Sequence, residues 1–336
     1  MKKIKTIAII GDGGWGTTLA IHLAKKEYPV MLWGAFSDYV SHVEKTRENK
    51  KFLPGYRIPL SVQLTSNIND AVSFGDLIVL ASPSEYLVDV LEKIKGTSYK
   101  GKAFLSVIKG IHPVSFKRMS QIIREQLGSV SLAVLSGPTI AGEVAADLAT
   151  TAVIACHQMD LAKQIQKIIH SNTFRIYTND DVIGTEIGGS IKNVIAIACG
   201  VCDGLGLGSN AKAALLTRGL AEITRLGVAL GGKKETFYGL TGLGDLVTTC
   251  VSPKSRNRSV GEAVGSGKKI DEVLSSMSMV AEGVITSKAV YRLSRKMKIP
   301  MPISEQVYKI IFEGKNSRRA MQDLMTRQPK PESHTK

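Results

Sequence analysis

Residues 4–20 read Ile4-Lys5-Thr6-Ile7-Ala8-Ile9-Ile10-Gly11-Asp12-Gly13-Gly14-Trp15-Gly16-Thr17-Thr18-Leu19-Ala20. A short run rich in β-branched residues meets Gly11-x-Gly13-x-x-Gly16, and a stretch of helical character, Thr17–Glu27, follows at once. Alone the glycine motif is weak. Between a strand and a helix it specifies a dinucleotide-binding turn. Gly11 permits the tight bend, Gly13 lets a pyrophosphate approach the backbone, and Gly16 lets the helix pack on the strand. The helix N-terminus adds free N–H groups and a partial positive charge.

Further runs of the same kind follow at Val30–Trp33, Leu77–Ala81, Ala103–Ile108, Leu132–Leu135 and Ala152–Ala155. Counting Ile4–Ile10 they are short and continuously apolar, as parallel strands covered on both faces are. Polar amphipathic stretches of crossover length separate them. The expected fold class is α/β, an N-terminal Rossmann-like doubly wound sheet over residues 1–181. After about Asp181 the periodicity becomes helical, at roughly 184–202, 210–230, 257–265, 282–297 and 302–313. Residues 182–336 are therefore expected to form an all-helical second domain carrying the substrate chemistry.

At the end of the second strand an acid ordinarily grips the ribose 2′-hydroxyl of NAD, or an arginine accepts the 2′-phosphate of NADP. Here the strand ends Leu32-Trp33-Gly34-Ala35-Phe36, with neither, and Asp38 comes a few residues late. NAD and NADP both remain open.

The 336 residues include 43% apolar and 22% charged residues, which suits two globular domains and excludes a disordered or collagen-like chain. Cys156, Cys199, Cys202 and Cys250 are too sparse for a disulfide framework and point to a reducing compartment. Cys199 and Cys202 form a single CxxC inside VIAIACGVC, read as buried small residues, and the histidines show no metal spacing. No metal is expected. The longest uninterrupted apolar run, Val194–Cys202, is far short of the ~20 residues of a spanning helix. The start, MKKIKTIAIIG, lacks the h-region and cleavage site of a signal peptide. A cytoplasmic protein without membrane insertion is expected.

Lysine and arginine number 44 against 29 acids, a net charge of +15. From Arg292 to Lys336 there are 11 basic and 4 acidic residues. Such a balance attracts nucleic acid, membrane surfaces and phosphorylated small molecules alike. Aromatic residues make up 6%, and no base-stacking or groove-reading motif occurs, so a nucleic-acid partner is not expected.

Three stretches of the second half set polar residues among glycines and apolar residues: Glu186-Ile187-Gly188-Gly189-Ser190-Ile191-Lys192-Asn193, Leu240-Thr241-Gly242-Leu243-Gly244-Asp245-Leu246 and Ser255-Arg256-Asn257-Arg258. Lys192 is read at the start of a buried helix, where an ammonium is costly unless partnered or used.

Nearly the whole chain, from Ile4 to about Lys330, resembles glycerol-3-phosphate dehydrogenase of the bacterial, soluble, NAD(P)-dependent type. The segments that carry the resemblance are GDGGWGTTLA, ASPSEYL, VIKGI, LSGPTIAGEVA, IGGSIKNVIAIACGVCDGLGLGSNAKAALLTRGL, GLTGLGDLVTTC, SRNRSVG, VAEGV and MQDLM. The resemblance implies interconversion of sn-glycerol 3-phosphate and dihydroxyacetone phosphate with NAD or NADP, in support of phospholipid synthesis. It also implies a helical domain of the 6-phosphogluconate-dehydrogenase-like type and a plausible homodimer. The competing reading is a related two-domain dehydrogenase acting on a 3-hydroxy acid or a sugar acid phosphate, against which SRNR and the central segment argue. By the resemblance Lys192 is the proton donor and acceptor, and Lys109 a second lysine where cofactor and substrate meet. Gly137, Thr139, Asp245, Ser255, Arg256 and Asn257 are implied substrate contacts. Gly14, Trp15, Ala141, Arg256, Val280 and Glu282 are implied cofactor contacts. Where the family commonly has serine this chain has Gly14, and where it often has a basic residue this chain has Ala35.

Ketone reduction needs a proton for the developing alkoxide, and an ammonium beside the carbonyl supplies charge and proton together. Desolvation and the Lys109 ammonium are both expected to depress the Lys192 pKa below the ~10.4 of free lysine. Asp245 opposes that shift, so its expected task is to orient Lys192 or hold a substrate hydroxyl. Arg256 has the planar fork that grips a phosphate.

Overall fold

In β1 (Ile7–Ile10) no side chain reaches solvent. Ile7 and Ile9 enter the core under one face of a sheet, Ala8 and Ile10 the core under the other. Burial of this kind contributes roughly 1.5–3 kcal/mol for each large aliphatic side chain. The computed structural model describes residues 3–277, 281–329 and 331–332. The further strands are β2 (Val30–Trp33), β3 (Val62–Thr65), β4 (Leu77–Leu80), β5 (Ala103–Ser106), β6 (Ser131–Ser136), β7 (Thr150–Ala155) and β8 (Phe174–Asn179). Their order in the sheet is β3-β2-β1-β4-β5-β6-β7-β8, with Ile7 in register with Val30 on one side and Leu77 on the other.

Helices α1 (Gly14–Lys25), α2 (Ser37–Thr46), α3 (Ile68–Phe74), α4 (Leu87–Lys95), α5 (Met119–Leu127), α6 (Ala141–Ala145) and α7 (Met159–Ile169) cover its faces. This is the expected doubly wound architecture, with two differences. The expected runs missed β3 and β8, which are half-exposed, with alternating rather than continuous apolar residues. The sheet is also not wholly parallel: β6 and β7 are antiparallel, because the chain turns back through the short α6 on the same edge.

The second half is helical: α8 (Val182–Gly204), α9 (Gly208–Ala229), α10 (Lys234–Phe237), a π-helical turn at Leu240–Gly244, α11 (Asp245–Val251), α12 (Arg256–Gly265), α13 (Ile270–Ser275), α14 (Glu282–Met297), α15 (Pro302–Phe312) and α16 (Ser317–Met325). Its spine is α8, capped at Asp181, whose carboxylate accepts from the Gly184 amide at 2.8 Å. Lys192 therefore stands near the middle of a 23-residue helix, not at its start as the sequence suggested. Gly188 and Gly189 do not break that helix. They are small because neighbouring backbone and the Ser136 hydroxyl press on it. By length and composition α8 could cross a membrane, but 94% of its apolar window is buried inside the protein.

Two seams hold α8 in place. Against α12 the contact is backbone on backbone: a Cβ on Gly200 would lie 2.0 Å from the Arg258 carbonyl oxygen, and one on Gly261 2.0 Å from that of Ile197. Against the sheet domain, the buried Glu186 carboxylate pairs with Arg118 and accepts from the Ser120 amide at 2.7 Å and the Ser120 hydroxyl at 2.6 Å. The charge is thus satisfied on both oxygens, as burial demands. Thr241 Oγ1 adds a bond to Ser136 Oγ at 2.8 Å.

A second buried carboxylate, Glu222 of α9, fastens α15. It accepts from the amides of Ile303 at 2.6 Å and Ser304 at 3.1 Å, and from the Ser304 hydroxyl at 2.9 Å. Burial nevertheless pushes its pKa up to about 7, against the pull of those donors. A folded-state pKa above the unfolded value means the contribution is full below pH about 4.5 and lost as the pH rises through about 7. From pH 5 to pH 8 the wild type is therefore expected to lose stability relative to Glu222→Gln, on the order of 3 kcal/mol. Urea unfolding of both proteins at the two pH values measures it, and parallel changes would refute it.

Candidate active site

At the C-terminal edge of the sheet the glycine-rich turn shows three different constraints. Gly11 has φ of +124°, and a Cβ there would lie 2.7 Å from the Ala81 carbonyl carbon. A Cβ on Gly16 would lie 1.9 Å from the Gly11 carbonyl oxygen. Gly13, by contrast, has no atom within 4 Å of its Cβ position and an ordinary φ of −66°. Packing therefore demands Gly11 and Gly16, while Gly13 opens onto empty space in front of α1. No side chain caps that helix, so its first amides are available to an anion. These residues fit a dinucleotide pyrophosphate. Trp15 is partly buried edge-on to Phe174, and its indole Nε1 has no partner among the described residues. Ala141 opens α6 beside the turn, and its carbonyl accepts from Thr18 Oγ1 at 3.1 Å.

Next to the turn, Lys109 follows β5 and Gly137 and Thr139 follow β6. Lys109 Nζ donates to Gly137 O at 2.9 Å, Thr139 Oγ1 at 3.4 Å and Asp245 Oδ2 at 2.7 Å. The other Asp245 oxygen, Oδ1, accepts from Lys192 Nζ at 2.6 Å. Lys192 Nζ donates also to Thr249 Oγ1 at 2.5 Å. One buried carboxylate thus bridges two ammoniums from different halves of the chain. Gly189 makes room for this: its Cβ position lies 2.4 Å from Ser136 Oγ and 3.6 Å from Lys109 Cγ. Asp245 is 1% exposed, at the start of α11 just after the π-helical turn. Burial pushes the Lys192 ammonium down to about 8; the Asp245 carboxylate resists and the Lys109 charge assists.

Facing this cluster is a third group. Ser255 caps α12, its hydroxyl accepting from the Arg258 amide at 3.2 Å. Arg256 begins that helix, and burial lowers its pKa while the Glu282 charge opposes the shift. Burial raises the Glu282 pKa, and the charges of Arg256, Lys109 and Lys192 all reach it. Asn257 is committed on both amide atoms: its Nδ2 donates to Asn193 Oδ1 at 3.0 Å, and its Oδ1 accepts from the Gly283 amide at 2.9 Å. Val280, an expected cofactor contact, lies outside the described residues.

Sequence reasoning missed Thr249 and Asn193. Both were within reach: Thr249 is one helical turn beyond Asp245, and Asn193 follows Lys192 directly. Cavity size is a poor guide in this fold. An apolar cavity of about 370 Å³ between α8, α9, α15 and α16 is lined by none of the site residues.

Two family models match the chain: the N-terminus of NAD-dependent glycerol-3-phosphate dehydrogenase over residues 6–162, and its C-terminus over residues 181–322. The chain is 49% identical over 329 residues to a glycerol-3-phosphate dehydrogenase (NAD(P)+) of Prosthecochloris aestuarii, covering 97% of this chain and 99% of that one. Its identity to the corresponding protein of a Thermoanaerobacter species is 44% over 328 residues, covering 98% and 99%. Among solved structures, glycerol-3-phosphate dehydrogenase of Coxiella burnetii superposes with a TM-score of 0.93 at 38% identity, over 96% of this chain and 99% of that one. A D-mandelate dehydrogenase solved with NADH reaches 0.62 at 15% identity, over 92% and 98%, a likeness of fold alone.

The contrast between the glycines is testable. Gly13→Val is expected to fold with stability within about 1 kcal/mol of wild type and to lose NADH binding, measured by calorimetry. Gly16→Ala is expected to cost about 1–3 kcal/mol or more through overpacking, read from urea unfolding. Retained NADH affinity in Gly13→Val would remove the pyrophosphate from this turn.

Proposed function

The chain belongs to the NAD-dependent glycerol-3-phosphate dehydrogenases and interconverts sn-glycerol 3-phosphate and dihydroxyacetone phosphate with NAD or NADP, and on that premise we propose that Lys192 is the acid–base group of the reaction. The observation that carries this reading is the buried ammonium of Lys192 against a carboxylate shared with a second ammonium, where burial pushes its pKa down to about 8. The bound nicotinamide supplies or accepts the hydride. During reduction Lys192 Nζ gives its proton to the oxygen of the former carbonyl, which becomes the secondary alcohol. During oxidation the neutral amine takes that proton back. Asp245 and Thr249 aim Nζ, and Lys109 adds positive charge toward the developing alkoxide.

The substrate phosphate is assigned to the start of α12, where Arg256 offers a charged fork at a helix N-terminus. Ser255 and Asn257 shape this end rather than carry its charge. Ser255 is the cap, and Asn257 ties α12 to Asn193 and to the start of α14. Gly137 and Thr139 hold Lys109 and border the substrate. Gly11, Gly13, Gly14, Trp15, Gly16, Ala141 and Glu282 are assigned to the cofactor. We place the domain boundary between Asn179 and Val182, where β8 ends and α8 begins. A cytoplasmic homodimer supplying sn-glycerol 3-phosphate for phospholipids, without nucleic-acid partners, completes the reading.

Spectrophotometric assays test it. NADH or NADPH is expected to be consumed with dihydroxyacetone phosphate and far more slowly with dihydroxyacetone; equal rates would refute the phosphate site. Reduction needs the protonated lysine, so turnover is expected to fall as the pH rises through about 8, while oxidation rises over the same range. Lys192→Met is expected to lower turnover by ~10²-fold or more with NADH affinity retained. Near-normal turnover in a folded Lys192→Met protein would remove Lys192 from the mechanism.

A further inference from the structure

The strand whose end ordinarily carries the acid for the adenosine ribose, β2, stops at Trp33 and runs into Gly34-Ala35 without one. A carboxylate nevertheless stands there, supplied by the glycine-rich turn. Asp12 Oδ2 lies 2.4 Å, and its Cγ 2.7 Å, from where a Cβ on Gly34 would sit. The Asp12 carboxylate thus fills the space that a side chain at the end of β2 would occupy. Its backbone is anchored: the Asp12 carbonyl accepts from Asn49 Nδ2 at 2.7 Å and Thr17 Oγ1 at 3.2 Å, and Asn49 is itself buried and held by the Tyr39 hydroxyl at 2.6 Å. The groups that favour its ionised form are its own backbone amide and the Lys51 charge, which leaves acceptor capacity on the carboxylate.

We propose that Asp12 selects the cofactor: its carboxylate accepts from the 2′- and 3′-hydroxyls of the adenosine ribose and repels a 2′-phosphate, so that NADH is preferred to NADPH. The inference rests on the dinucleotide reading of this turn. Donation from two ribose hydroxyls favours the ionised acid, opposing the burial that pushes its pKa up. A 2′-phosphate would bring two further negative charges to the same place.

Calorimetry of NADH and NADPH binding to wild type, Asp12→Asn and Asp12→Ala, without substrate, tests the proposal. Wild type is expected to bind NADH about tenfold or more tighter than NADPH. Both variants are expected to shrink that ratio to about threefold or less, through a rise in NADPH affinity that a damaged fold cannot produce. Equal affinities in wild type, or a ratio unchanged by both substitutions, would overturn it. If wild type consumes neither cofactor with dihydroxyacetone phosphate, the reading of the reaction fails instead, and the binding ratio still decides the role of Asp12.

Discussion

One carboxylate between two ammoniums organises the molecule. Asp245 lies 2.6 Å from Lys192 Nζ and 2.7 Å from Lys109 Nζ, and all three side chains are largely withdrawn from water. Two buried ammoniums at such range would repel strongly in a medium of low dielectric. Removing one partner from a buried pair costs about 3–5 kcal/mol, because an uncompensated charge stays behind. Lys109 is delivered by the end of β5, and Lys192 and Asp245 by α8 and α11. The carboxylate that joins Lys109 and Lys192 is therefore also a link between the two halves of the chain. The glycines at 188 and 189, the turn before Asp245 and the clamp of Glu186 on Arg118 all bring α8 close enough for it.

That arrangement sets the chemistry by opposition. Desolvation alone would neutralise Lys192, and Asp245 alone would hold it charged far above neutral pH. Lys109 tilts the contest, and the ammonium is pushed down to about 8, a displacement of the kind that clusters at functional sites. On the far side Glu282 and Arg256 repeat the pattern with the signs exchanged: an acid raised by burial beside a cation it helps to keep.

The sheet's centre was legible because β1, β2 and β4 to β7 are continuous apolar runs. Its edges were not. Phe174-Arg175-Ile176-Tyr177 alternates between core and solvent, and a search for unbroken hydrophobic stretches passes over it. Of the helices, α12 and α14 begin and end within a residue of their apolar periodicity. The helical periodicity at 184–202 matches α8 to within two residues at either end, while Lys192, read at the start of a helix, stands ten residues past Val182. For the site, the residue types were visible in Lys109, Lys192 and Asp245, and their meeting was not. They are separated by 136 and 53 positions along the chain, and no local pattern states that one carboxylate will reach both. The roles of Ser255, Arg256 and Glu282 came through family resemblance. Asp12 escaped notice because it sits inside a motif whose other letters are read for their glycines.

The glycine seam between α8 and α12 has a consequence for how the molecule breathes. Where carbonyl oxygens lie against glycine Cα atoms, no gap admits water, and the amide hydrogens of α8 can meet solvent only when the two helices part. They cannot part while α8 is flanked by α9, α14 and the sheet. Local opening therefore has nowhere to begin along the middle of this helix, and its amides are expected in the slowest-exchanging class, released when the domain unfolds. Lys192 grows from that segment. The ammonium proposed to give and take the proton is thus carried on a backbone packed closely on several sides, and its freedom lies in the side chain beyond Cα.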